Sequence, residues 1–149
     1  MCFVLYLGSP VPLPLIPWSE AARGLNTNAI SDYEHGVEQH FTAPHICYVG
    51  SDLGCGCGFR NASYQNGRWP NEEWRDDDDT GHLTTQPNHE ALVKFILGHL
   101  PTKAVVELYG AWDGDFETAL LSDEGIGIER LLDPDFYFRE RGRYTNCLP

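Results

Sequence analysis

Apolar positions fall in short blocks separated by proline, glycine and charged stretches. Residues 2–7 (CFVLYL) are a continuous run of strand formers, which predicts a first strand. The segment Pro10 to Pro17 alternates prolines with aliphatic residues, which favours an extended path over the surface, with Leu13, Leu15 and Ile16 turned back onto the core. Ser31-Asp32-Tyr33-Glu34 has the form of a capping box, and Tyr33, Val37 and Phe41 then share one helical face, so a helix is expected from about Asp32 to Phe41. His45 to Gly50 is a strand by composition, Ser51 to Gly54 a turn, and Cys55 to Arg60 the returning strand of a hairpin. Asn88 is placed to cap a helix to about Leu100, whose stripe is Leu92, Phe95, Ile96 and Leu100. Strands over Ala104–Tyr109, Phe116–Leu121 and Phe136–Tyr144, the last near a sheet edge, complete the pattern with a short helix over Ile128–Leu132. An Asp113-Gly114 turn signal lies between the first two of these strands.

Helix and strand patterns in this order predict an α+β domain: one mainly antiparallel sheet of four to five strands with two main helices packed on it. The length of 149 residues fits one domain spanning the chain. Residues of about 61–87 break the pattern. They carry Glu72, Glu73 and Asp76 to Asp79 with Leu83 as the one branched aliphatic, and read as a long acidic solvated loop.

Charge narrows the partners. Ten basic and 22 acidic residues leave a net charge of −12, which excludes an electrostatic nucleic-acid binder and argues against an anionic membrane surface. The same charge would steer a basic protein partner. Prolines interrupt the apolar start, and no basic residue precedes it, so it reads as neither a spanning helix nor a signal peptide. Five cysteines, an odd number in a chain of this length, fit reduced thiols and a cytoplasmic protein better than a disulfide framework.

The opening MCFVLYLGS with PLPLI, the central HICYVGS with GCGCGF, the VELYGAWDGD block and the closing LLDPDFYFRER resemble a family of small bacterial proteins of unknown function. The resemblance reaches both ends and the middle of the chain, leaves out residues 61–87, and implies a compact bacterial domain without bringing an activity, a cofactor or functional residues.

The candidate chemistry therefore rests on the cysteines. In a hairpin turning about Asp52, Cys47 faces Cys57 and His45 faces Phe59, and alternation puts His45, Cys47, Cys55 and Cys57 on one side. Thiolates with an imidazole suit Zn²⁺, or Cu(I) as a softer ion, with Cys47, Cys55 and Cys57 as ligands and His45 or Cys2 as the fourth. Thiol redox chemistry or a reactive cysteine is the second functional reading, and inert packing of small hydrophobic thiols is the ordinary reading, weighed ahead of metal binding. Gly54, Gly56 and Gly58 would leave the opposite side smooth enough for another backbone to approach. Acids around Trp112 (Asp113, Asp115, Glu117), the run Asp76 to Asp79 with His82 and His89, and the aromatics Tyr64, Trp69 and Trp74 are lesser candidates for cation or partner binding. Two classes of function follow: a domain with a cysteine-cluster site that binds a transition metal or does thiol chemistry, or an acidic interaction module of inhibitor or immunity type. Nothing in the sequence decides whether the protein is an enzyme.

Overall fold

The computed structural model describes residues 2–59, 81–134 and 136–149, without the side chains of 81–84. Six strands form one mixed sheet: β1 (Phe3–Ser9), β2 (Asn26–Ala29), β3 (His45–Gly50), β4 (Val105–Trp112), β5 (Ser122–Gly125) and β6 (Gly142–Cys147). Their order is β2-β3-β1-β4-β6-β5. Every neighbouring pair is antiparallel except β5 with β6.

β1 lies third from the edge and is covered on both sides, which explains why its sequence does not alternate apolar with polar residues. Phe3, Leu5 and Leu7 pack with Leu92, Val93, Phe95 and Ile96 of α1 (Gly81–His99), while Val4 and Tyr6 pack with Val37, Tyr109, Ala111 and Phe116 on the opposite face. The second layer is the segment Asp32–His40, which winds as a 3₁₀ helix rather than an α-helix. Glu34 ties it down twice. One carboxylate oxygen accepts from the Ser31 amide and hydroxyl at 2.8 Å each, and the other accepts from the Tyr6 hydroxyl at 2.8 Å. Of the expected stripe only Val37 is buried, whereas Tyr33 is 69% exposed, because 3₁₀ winding turns successive side chains through a wider angle.

Differences from the expected fold cluster at the sheet edges. β2 (NTNA) and β5 (SDEG) are polar strands without an apolar face, so composition hid them. The Pro-rich arm lies against β2, with Ile16 and Thr27 exchanging backbone hydrogen bonds at 2.9 and 3.1 Å, and so covers an edge that would otherwise present free amides. Leu13 packs against the core, but Leu15 is 56% exposed and Ile16 38%, because the bridge to Thr27 fixes the arm along the edge and leaves these two side chains to solvent. At the other edge, β5 carries Asp123 and Glu124, which pair with Arg143 and Arg139. The segment 116–121 is not a strand, and the last strand begins only at Gly142 and lies near the sheet edge as expected, next to the edge strand β5. Ile128–Leu132 is helical as expected, in 3₁₀ form. α1 starts at Gly81 and runs through Pro87, so residues 81–87 are helix rather than loop, and the rest of the expected acidic loop, residues 60–80, lies outside the described residues. Asn88 is thus an interior helical residue whose side chain is used in tertiary contacts. No helix among the described residues is long and apolar enough to cross a membrane.

Candidate metal centre

The chain leaving β3 does not return as a strand. Ser51 turns it: its amide donates to the Cys55 carbonyl at 2.8 Å, and its hydroxyl donates to the same carbonyl at 2.7 Å. The Ser51 hydroxyl oxygen also accepts from the amides of Leu53 and Gly58 at 3.2 Å each. Gly54 takes φ +82°, a backbone conformation suited to glycine, beneath the ring of Trp18, whose indole N–H donates to the Asp52 carbonyl at 3.1 Å. Residues Gly56–Phe59 then wind as a 3₁₀ turn. Asn88 of α1 and Asn26 of β2 fasten this loop from two sides. The Asn88 amide donates to Asp52 Oδ1 at 2.8 Å and to the Gly58 carbonyl at 3.1 Å, and the Asn26 amide donates to the Ser51 carbonyl at 2.9 Å.

The glycines allow that packing. A β-carbon on Gly56 would lie 2.7 Å from the Phe3 carbonyl oxygen and 3.1 Å from Val4 Cα, so the loop backbone presses directly on the start of β1. The expected close approach of another backbone is present at this residue. At Gly58 the neighbour is instead the Ser51 hydroxyl, 2.3 Å from where a β-carbon would sit.

This loop brings together a different set of sulfurs from the hairpin expected. The sulfurs of Cys2, Cys55 and Cys57 all lie within 4.8 Å of one another, close enough to hold a metal ion. Zn–S bonds of about 2.3 Å put the sulfurs of a tetrahedral site about 3.8 Å apart, so a contraction of at most about 1 Å completes the fit. Cys2 is exposed, while Cys55 and Cys57 are half-buried. The Phe3 amide donates to the Cys57 sulfur at 3.3 Å. Cys2 is held by its own carbonyl, which accepts from the Asp113 amide at 2.9 Å. Burial, and then the hydrogen bond with Cys55, push the Cys57 thiol up to about 12, with the Phe3 amide pulling the other way.

Cys47 and His45 stand apart. Cys47 pairs in register with Leu7 and packs in the core beneath α1, where burial alone pushes its thiol up to about 12. His45 opposes Ser9 at the far end of β3, about 13 Å along the strand from Val49 at 3.3 Å per residue. It lines a separate open groove of about 320 Å³ together with Leu13, Leu15 and Glu38. Both placements have one cause. The shared face depended on Cys55–Arg60 being a strand, and once Gly56–Phe59 winds as a 3₁₀ turn the alternation that aligned them no longer holds.

Tyr48, on the sheet face opposite Cys47, is a neighbour that the sequence did not single out. Burial first, and then Cys55 and Cys57, raise its phenol above the ordinary range, and the Gly56 amide, bonded to it, lowers it. Its ring meets Tyr6 edge-on at 5.8 Å, linking the cysteines to the Tyr6–Glu34 pair. Alternation along β3 was the available signal: Tyr48 is the residue beside Cys47 that points to the other face.

The lesser candidates resolve more simply. Asp113-Gly114 is a turn with Gly114 at φ +94°, Asp115 bonds Thr118 and pairs with Arg141, and no carboxylate group able to hold a cation forms there among the described residues. His89 is buried between two backbone carbonyls. Asp76 to Asp79, Tyr64, Trp69, Trp74 and the side chain of His82 lie outside the described residues. No family model, curated protein or solved structure matches the chain.

Proposed function

We propose that this chain is a soft-metal-binding domain in which Cys2, Cys55 and Cys57 supply thiolates to a zinc-class ion. The observation that carries the reading is the convergence of three sulfurs from two distant stretches of chain within 4.8 Å. A reactive nucleophile needs a cation or a helix N-terminus to stabilise its thiolate. None of the groups acting on Cys57 is cationic, and its thiol is raised rather than lowered. A metal ion supplies the missing positive charge and displaces the protons itself. The Phe3 N–H bond to sulfur supports the thiolate form.

The test is zinc analysis with thiol titration on the reduced, full-length chain. One zinc per chain is expected, with three of the five thiols protected, and Cys55→Ser or Cys57→Ser removes that protection. Equal thiol reactivity with and without zinc overturns the reading.

An interaction module is the second reading. It is supported by the net charge of −12 and by the exposed apolar side chains of Leu15, Ile16, Trp18 and Leu53, of which Trp18 bonds the Asp52 carbonyl in the turn that carries Leu53. A basic partner captured at low salt, released at high salt and lost in Trp18→Ala favours it, while no capture at low salt counts against it.

A further inference from the structure

We propose that the metal ion at Cys2, Cys55 and Cys57 keeps a fourth coordination position open, facing solvent beside Cys2, and that this position takes a neutral donor of water or imidazole class from outside the chain. The inference rests on the metal-binding reading above and adds what else the ion binds.

A count of donors carries it. Zinc sites with a structural role close with four protein ligands, whereas sites that bind something further keep three. Among the described residues no histidine, aspartate or glutamate comes within 4.8 Å of all three sulfurs. The remaining cysteines are committed elsewhere: Cys47 lies in the core, and the Cys147 thiol at the end of β6 donates to the Lys103 carbonyl at 3.9 Å.

Among the described residues the histidine side chains are placed elsewhere too. His35 bonds Glu38, His40 the Phe116 carbonyl, His89 the carbonyls of Phe59 and Leu131, and His99 the Phe95 carbonyl, while His45 sits at the far end of β3. Access comes from Cys2, the exposed member of the trio, which puts the fourth position on the solvent side.

Charge selects the class of ligand. Three thiolates around a divalent ion already leave one negative charge, and an anionic fourth ligand would leave two. In a chain of net charge −12, with Asp113 bonded through its amide to Cys2, a second uncompensated negative charge is disfavoured and a neutral donor is not.

Cobalt(II) tests this, because its visible ligand-field bands report the donor set. The full-length reduced protein loaded with one cobalt per chain is titrated with imidazole and, separately, with azide. The expected result is a saturable band shift with imidazole at concentrations where azide produces a smaller one, unchanged in His82→Gln. Bands indifferent to imidazole, or bands that His82→Gln alters before imidazole is added, show a fourth ligand from the chain and overturn the open position while leaving the metal site standing. Failure to bind cobalt or zinc at all overturns the metal reading itself, and this inference with it.

Discussion

Asn88 and Asp52, 36 residues apart in sequence, exchange two hydrogen bonds: the Asn88 side-chain amide donates to Asp52 Oδ1 at 2.8 Å, and the Asp52 backbone amide donates to Asn88 Oδ1 at 3.1 Å. With its third bond, to the Gly58 carbonyl, Asn88 ties the helix to the loop that carries Cys55 and Cys57, beside His89 on the Phe59 carbonyl. Asn88→Ala leaves a buried carbonyl and an amide without this partner, at a cost of about 1–3 kcal/mol. The expected outcome is a lower urea midpoint and weaker zinc retention against a chelator, both milder in Asp52→Asn, which keeps the backbone donor. Zinc retention unchanged in Asn88→Ala would show that the loop holds its shape without Asn88.

Cys47 separates sulfur that packs from sulfur that coordinates. It is 6% exposed and surrounded by the apolar core under α1. Cys47→Ala removes one buried heavy atom and is expected to cost about 1 kcal/mol of stability. Zinc stoichiometry and the number of protected thiols should stay as in the unmodified chain. A loss of bound zinc in this variant would return Cys47 to the ligand set.

The core strands were legible because burial on both faces writes itself into composition: CFVLYL and HICYVG needed no partner to be read as strands, the first observed at Phe3–Ser9 and the second with the bounds read from it. NTNA and SDEG escaped because an edge strand is specified by its neighbour's backbone and not by its own side chains. At the site, the cysteines and the glycines were visible as an unusual string, but their partner was not. Cys2 joins Cys55 and Cys57 because the side chains of Ser51 and Asn88 fold the loop inward, and side-chain bonds of this kind, four residues apart for Ser51 and 30 or more for Asn88, leave no periodic trace. A hairpin there needs a ladder of backbone bonds, and the Ser51 hydroxyl, accepting from the Gly58 amide, takes its place.

His89 gives the fold a dependence on pH. Its ring nitrogens lie 2.7 Å from the carbonyls of Leu131 and Phe59, inside a cage of Phe59, Phe136 and Phe138. Burial lowers its proton affinity below the ordinary 6.5, and the two carbonyls offset part of that. The unfolded chain therefore binds the proton more readily, and stability rises with pH between the folded value and about 6.5. The contribution is complete above that range and lost as pH falls through the folded value. Unfolding free energies from urea titrations at pH 5 and 7.5 should differ more in the unmodified chain than in His89→Gln, by up to about 1.4 kcal/mol per pH unit crossed. Identical pH slopes in the two proteins would mean that His89 is not the group responsible.

Gly56 is the position where the site and the fold are least separable. Its α-carbon carries no side chain because the backbone of β1 occupies that space: an added β-carbon would sit 2.7 Å from the Phe3 carbonyl oxygen, 3.0 Å from the Leu5 nitrogen and 3.1 Å from Val4 Cα. These contacts are backbone atoms of a central strand, which cannot swing aside as a side-chain end would, so Gly56→Ala must push the loop outward. Overpacking of this kind costs about 1–3 kcal/mol, and the displacement draws Cys55 and Cys57 away from Cys2 together. The expected signature is a drop in zinc affinity larger than the drop in stability explains, because the Phe3 amide loses its bond to the Cys57 sulfur at the same time. Gly98→Ala is the control, since no atom lies within 4 Å of its would-be β-carbon. It should bind zinc as the unmodified chain does and gain slightly in helix stability. If Gly56→Ala binds zinc as tightly as Gly98→Ala, the pressed contact between loop and strand is not what holds the three sulfurs together.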